Sequence, residues 1–196
     1  MVQGSRERPL PRAFLPCVVR VVRAGAAAAA LAVLGCTLLT GCGRHSAFDG
    51  ARYQDRAQGM DFRLAALGPD WERLSSTHGL LAFRNDARRA SILVNGRCGQ
   101  DGDDVPLGAL TAHLFLRFTE REVESEEIVP FDGREAMHTV MSAKLDGVAK
   151  KFDVWVMKKD GCVYDMIFIA EPARFDAGVG EFRKFVGGFS TARGDG

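Results

Sequence analysis

The sequence has few of the features that announce a chemistry. No P-loop, dinucleotide-binding glycine pattern, HExxH or GxSxG occurs in its 196 residues, so no local signature of nucleotide binding, zinc hydrolysis or serine hydrolysis is present. The four histidines, His45, His78, His113 and His138, stand far apart, and no two fall at i, i+4 with a third ligand close by, as a local zinc site needs. Cysteine is scarce at five residues, too few for a disulfide-built scaffold. The uncharged stretch at residues 24–40 is rich in alanine and falls short of the roughly 20 apolar residues of a stable membrane-spanning helix.

That short apolar stretch is nevertheless the most informative part of the chain. Arg20 and Arg23 precede it, and it closes on Leu38-Leu39-Thr40-Gly41-Cys42. Positive charge, an apolar run and then small residues are the layout of a cleavable export signal. The ending resembles the lipobox of bacterial lipoproteins, Leu39-Thr40-Gly41-Cys42. The resemblance implies cleavage after Gly41, diacylation of Cys42 on sulfur, and Cys42 as the mature N-terminus. Gly43 stands where an aspartate resembles an inner-membrane retention signal, which implies the outer membrane, with the domain facing the periplasm.

Removing residues 1–41 leaves 155, suited to one domain with a single core. The removed part carries five arginines and one glutamate, so the mature part is weakly acidic, at −3. That charge leaves no electrostatic footprint for nucleic acid. With Cys17 and Cys36 removed and Cys42 lipidated, Cys98 and Cys162 remain. In an oxidising envelope compartment they either close a disulfide loop of roughly 64 residues, worth about 4 kcal/mol, or stand as two separate buried thiols.

Residues 42–58 are polar and small and read as a flexible tether, with the folded domain at 59–196. Phe62-Arg63-Leu64 and the stretch from Trp71 predict two short strands around the Gly68-Pro69 turn. Leu80-Leu81-Ala82-Phe83 and Ile92-Leu93-Val94 predict two more. Leu107, Leu110, Leu114 and Phe118 recur at helical spacing, with Asp103 or Asp104 before Pro106 as the predicted start. Alternation across Asp146-Gly147 predicts a long hairpin, and Lys158-Lys159-Asp160-Gly161 turns the chain into a third strand at 162–170, continuously apolar and therefore central. Phe175, Val179, Phe182 and Val186 predict a terminal helix.

These elements make a layered α+β domain with a mainly antiparallel sheet. The Pro69-Asp70-Trp71 turn, the Asp132-Gly133-Arg134-Glu135-Ala136 entry to the hairpin, Gly161-Cys162-Val163-Tyr164 and the closing Phe182, Phe185 and Phe189 resemble the PsbP-like fold. That fold is shared by the extrinsic photosystem II protein, the Mog family of Ran-binding proteins and small bacterial envelope lipoproteins. The resemblance covers roughly 60–191, implies an α-β-α sandwich and an accessory or binding role, and carries over no catalytic residue.

Candidate chemistry is sparse. His78 beside Ser75, Ser76 and Thr77 reads as a polar turn rather than a base with a hydroxyl. Asp101, Asp103 and Asp104 offer oxygen ligands but lack the alternating ligands and closing glutamate of a calcium loop. The carboxylates at 120–127 read as a solvated helix end or loop. Cys98 has only Arg97 beside it to support a thiolate. Trp155, with Ala149 and Met157, is the predicted outward patch for docking. The reading is therefore a non-enzymatic, lipid-anchored envelope lipoprotein with no cofactor, held at the membrane and docking an envelope partner protein. The alternative is a lipoprotein with a pocket for a lipid, small molecule or metal ion.

Overall fold

A computed structural model describes residues 46–75, 80–99 and 104–191. The signal segment, Cys42, His45, His78, Asp101 and Asp103 lie outside the described residues.

The chain opens with three short strands, β1 (Ser46–Phe48), β2 (Arg52–Asp55) and β3 (Met60–Arg63). They join a two-residue strand at the far end of the chain, β11 (Ser190–Thr191), in a four-stranded sheet ordered β1-β2-β3-β11. Between them run β4 (Glu72–Leu74), β5 (Leu81–Asn85), β6 (Ala90–Cys98), β7 (Thr119–Phe131), β8 (Arg134–Leu145), β9 (Val148–Lys159) and β10 (Cys162–Ala170). These form a seven-stranded sheet ordered β4-β5-β6-β10-β9-β8-β7. Every strand pair in both sheets is antiparallel. Two helices complete the fold, α1 (Leu107–Leu114) and α2 (Asp176–Gly187), the latter preceded by a 3-10 turn at Pro172–Arg174.

The hairpins follow from their turn residues. Asp132-Gly133, Asp146-Gly147 and Asp160-Gly161 all take positive φ at both positions, the backbone twist that joins two antiparallel strands directly. β10 lies between β6 and β9, as its apolar run predicts, and every residue but Ile169 is buried.

Alternation along the strands sends side chains to two cores. One face of the large sheet carries Ile92, Val94, Tyr164, Met166 and Phe168, and meets Phe182, Phe185 and Val186 of α2 together with Tyr53, Met60 and Phe62 of the small sheet. The other face carries Met137, Met141, Phe152, Val154, Val156 and Ile167, and meets Leu110 of α1 and Phe115. This is the α+β, α-β-α arrangement expected, with the small sheet sharing the outer layer of α2. The close approach of that layer has a residue-level cause. A Cβ on Gly188 would lie 2.4 Å from the Ala65 backbone nitrogen, so only glycine fits there.

Five expectations are corrected. Part of the predicted tether is structured: residues 46–48 and 52–55 are strands, because Tyr53 buries its ring against Phe62, with centroids 5.1 Å apart. The predicted strands around Gly68-Pro69 both form but enter different sheets. α1 starts at Pro106 without a side-chain cap, so the described aspartate, Asp104, is not the cap; the first turn closes when Leu110 N–H donates to the Pro106 carbonyl at 3.1 Å. α1 also stops at Leu114, four residues short of Phe118, where Phe115 and Phe118 leave helical geometry to pack on Phe152 at 5.2 Å each. Finally, the carboxylates at 120–127 lie in β7, an edge strand, and not in a helix end or loop.

Candidate functional site

β7 is hydrogen-bonded on one side only, to β8, and runs for 13 residues. Glutamate is unfavourable in strands, but here the acidic side chains meet partners on the neighbouring strands. Lys144 pairs with Glu120 at 2.6 Å, and Lys151 donates to Glu124 Oε2 at 2.5 Å while Ser142 donates to its Oε1 at 3.1 Å. The Lys151 ammonium holds the Glu124 carboxyl below the usual range. Cross-strand pairing of this kind is what a sequence window without its neighbours conceals. Two register shifts interrupt the β7 ladder near residues 119–125, and Val123 and Ile128 remain exposed.

Trp155 does not face outward, and the predicted patch with Ala149 and Met157 is absent. Its indole stacks on His138 at 4.3 Å and donates to Asp153 Oδ1 at 2.8 Å, and Met157 is fully buried. Asp153 has no solvent exposure and is saturated. His138 Nε2 lies 3.1 Å from its Oδ1, while Arg183 Nε of α2 donates to Oδ2 at 2.8 Å. Glu127 of β7 reaches the other ring nitrogen of His138 at 3.5 Å. A carboxylate satisfied on all sides ties β9, β8 and α2 together; it is a structural node, with no free lone pair aimed at a substrate.

Cys98 and Cys162 form a disulfide. They are directly opposed in the β6–β10 register with Cα atoms 4.0 Å apart, and Gly99 N–H donates to the Gly161 carbonyl just beyond them. As bonded cysteines they offer no thiolate nucleophile.

A second arrangement lies on the face of the large sheet that α1 covers. A cleft of about 530 Å³ is lined by Arg97 of β6, Val105, and Ala109, Leu110 and His113 of α1. On the same face Asn95 Nδ2 donates to Asp165 Oδ2 at 2.5 Å. Burial pushes the Asp165 carboxyl up, against the opposing effects of the Asn95 bond and the Arg97 charge. Sequence reasoning missed both Asp153 and Asp165. The available signal was a single charge inside a continuously apolar strand, as in Cys162-Val163-Tyr164-Asp165-Met166-Ile167.

The two described histidines are not brought together: His113 lines the cleft beside α1, and His138 lies on the opposite face of the sheet. Among the described residues no group of three or more His, Cys, Asp or Glu is placed to hold a metal ion. Asp104, the described member of the aspartate loop, is exposed.

No protein-family model matches the chain, and no curated protein matches it in sequence. Solved structures do. The chain is similar to the cyanobacterial PsbP of Synechocystis sp. PCC 6803, with a TM-score of 0.52 and 16% identity over 78% of this chain and 98% of that one. It is also similar to LpqN, involved in cell envelope biogenesis of Mycobacterium tuberculosis, with a TM-score of 0.49 and 11% identity over 69% and 87% of the two chains. A third likeness is to the Ran-binding protein Mog1p of Saccharomyces cerevisiae, at 0.48 and 13% over 66% and 95%. At these identities the likeness is one of fold. The fold is α+β and PsbP-like, as the strand order and the closing phenylalanines predicted.

Proposed function

We propose that this chain is a lipid-anchored envelope protein that performs no chemistry of its own and docks a partner protein through β7. The supporting observation is the contrast between the two edges of the large sheet: β4 offers three residues, whereas β7 offers 13 with an unpaired side and two exposed aliphatic residues, Val123 and Ile128. A long open edge is a template onto which an extended segment of another protein adds as a strand. The glutamates along it disfavour pairing with a second copy, because like charges would face each other.

The anchor is read from Leu39-Thr40-Gly41-Cys42, with the signal at 1–41 removed, Cys42 diacylated, and outer-membrane placement facing the periplasm following from Gly43. No helix among the described residues is long and apolar enough to cross a membrane. More than one acyl chain at about 0.8 kcal/mol per buried methylene would hold the domain stably at a surface. Intact mass of the membrane-extracted protein tests the anchor: loss of residues 1–41 with added acyl mass on Cys42 is expected, and an unmodified, uncleaved chain rejects it. Docking is tested separately by photo-crosslinkers at Val123 and Ile128 in intact cells. The same partner should be captured from both, and not from Arg73 on the opposite edge; capture from neither β7 position, or equally from both edges, rejects β7 as the surface.

A second reading, a ligand-binding lipoprotein, is favoured by one specific observation, the cleft beside α1.

A further inference from the structure

The cleft beside α1 combines two chemistries. Val105, Ala109 and Leu110 give it an apolar wall, while Arg97 and His113 bring basic side chains to its rim. Ala109 and His113 are one helical turn apart and therefore share a face of α1.

Arg97 is the arginine that lines the cleft. It is exposed, and it makes no hydrogen bond or ion pair among the described residues, unlike Arg52, Arg84, Arg88, Arg89 and Arg183, each of which pairs with a carboxylate. The carboxyl that acts on it, Asp165, lies one pair along the β6–β10 ladder on the same face and is bonded to Asn95 instead. Burial favours the neutral form of that carboxyl, and among the described residues no carboxylate is in an ion pair with the guanidinium. A free guanidinium is a fork suited to a carboxylate or phosphate. A small hydrated anion would leave the aliphatic wall wet, whereas a ligand with both an anionic head and an apolar tail satisfies the whole cleft. Its volume falls within the roughly 300–1,000 Å³ of small-molecule sites.

We propose that this cleft binds a single-chain amphiphile with an anionic head, the head on Arg97 and the tail along Val105, Ala109 and Leu110. The proposal goes beyond docking through β7 and does not depend on it, since β7 lies at the edge of the sheet and contributes no lining residue.

The test is calorimetric titration of the full chain carrying Cys42→Ser, so that its own acyl groups do not compete. The probes are dodecanoate, dodecyl phosphate, dodecyltrimethylammonium and butyrate, each below its micellar concentration. Saturable binding of one molecule per chain is expected for at least one of the two anionic amphiphiles, with the tighter of them assigning a carboxylate or a phosphate head. Arg97→Gln should weaken it by about tenfold or more. Ala109→Trp, at an exposed helix position, should abolish it by filling the cleft while leaving the thermal midpoint unchanged. Binding of the cationic amphiphile as tightly as the anions, binding of butyrate as tightly as dodecanoate, unchanged affinity in either variant, or no binding by any probe would overturn the proposal.

Discussion

The two faces of the seven-stranded sheet are built from the same strands yet finished differently. Beneath α2 and the small sheet, aromatic rings interlock: Phe182 stacks on Phe168 at 5.6 Å, Phe185 meets Phe83 edge-on at 5.8 Å, and Phe62 meets both Tyr164 and Phe189. Beneath α1 the cover is an eight-residue helix, and the cleft with Arg97 opens beside it. The 12-residue α2, supported by a second sheet, covers its face; the shorter α1 covers only part of its own. One face is thus closed by interlocked rings, while the other keeps an opening beside its helix.

Four substitutions break or sharpen that contrast, the most damaging first. Phe182→Ala removes a fully buried ring from the interlocked face and should cost about 3–5 kcal/mol in chemical denaturation. Replacing Cys98 and Cys162 together by serine should cost about 2–4 kcal/mol, since the bond ties β6 to the central strand that both faces share. Leu110→Ala, beneath the shorter helix, should cost about 2 kcal/mol, the low end for a buried leucine because the cleft already borders it; a loss equal to that of Phe182→Ala would erase the difference between the faces. Asp165→Asn should act in the opposite direction. Burial raises the Asp165 pKa in the folded state, so the folded protein loses stability as pH rises past the ordinary aspartate value of about 3.9. Asparagine keeps an acceptor for Asn95 without that charge. The variant should therefore be the more stable at neutral pH, and the gain should vanish in acid; a gain independent of pH would remove titration as its cause.

Much of the fold was legible because its signals are local. Three Asp-Gly pairs, alternation on either side of them, and phenylalanines at helical spacing in α2 each act over a few residues. The features that escaped were those whose energy comes from distant partners. β2 looks polar until Tyr53 meets Phe62, and β7 looks like a solvated loop until Lys144 and Lys151 approach its glutamates. Trp155 looked free to face solvent, but His138, Asp153 and Phe131 hold it. The candidate cleft was less legible still. Arg97 and His113 are ordinary surface residues in the sequence, 16 positions apart, and only the packing of α1 on the sheet brings them to one opening.

By itself, then, the sequence determined the α+β class, the order of the hairpins and the central place of β10, because turn geometry and side-chain period are short-range. The pairing of Cys98 with Cys162, the edge position of β7, the burial of Asp153 and Asp165, and the opening beside α1 were decided by tertiary structure. Each depends on which strands lie side by side and how far a helix reaches across them. Those are relations between residues far apart in the chain, set by the burial of apolar surface over the whole domain.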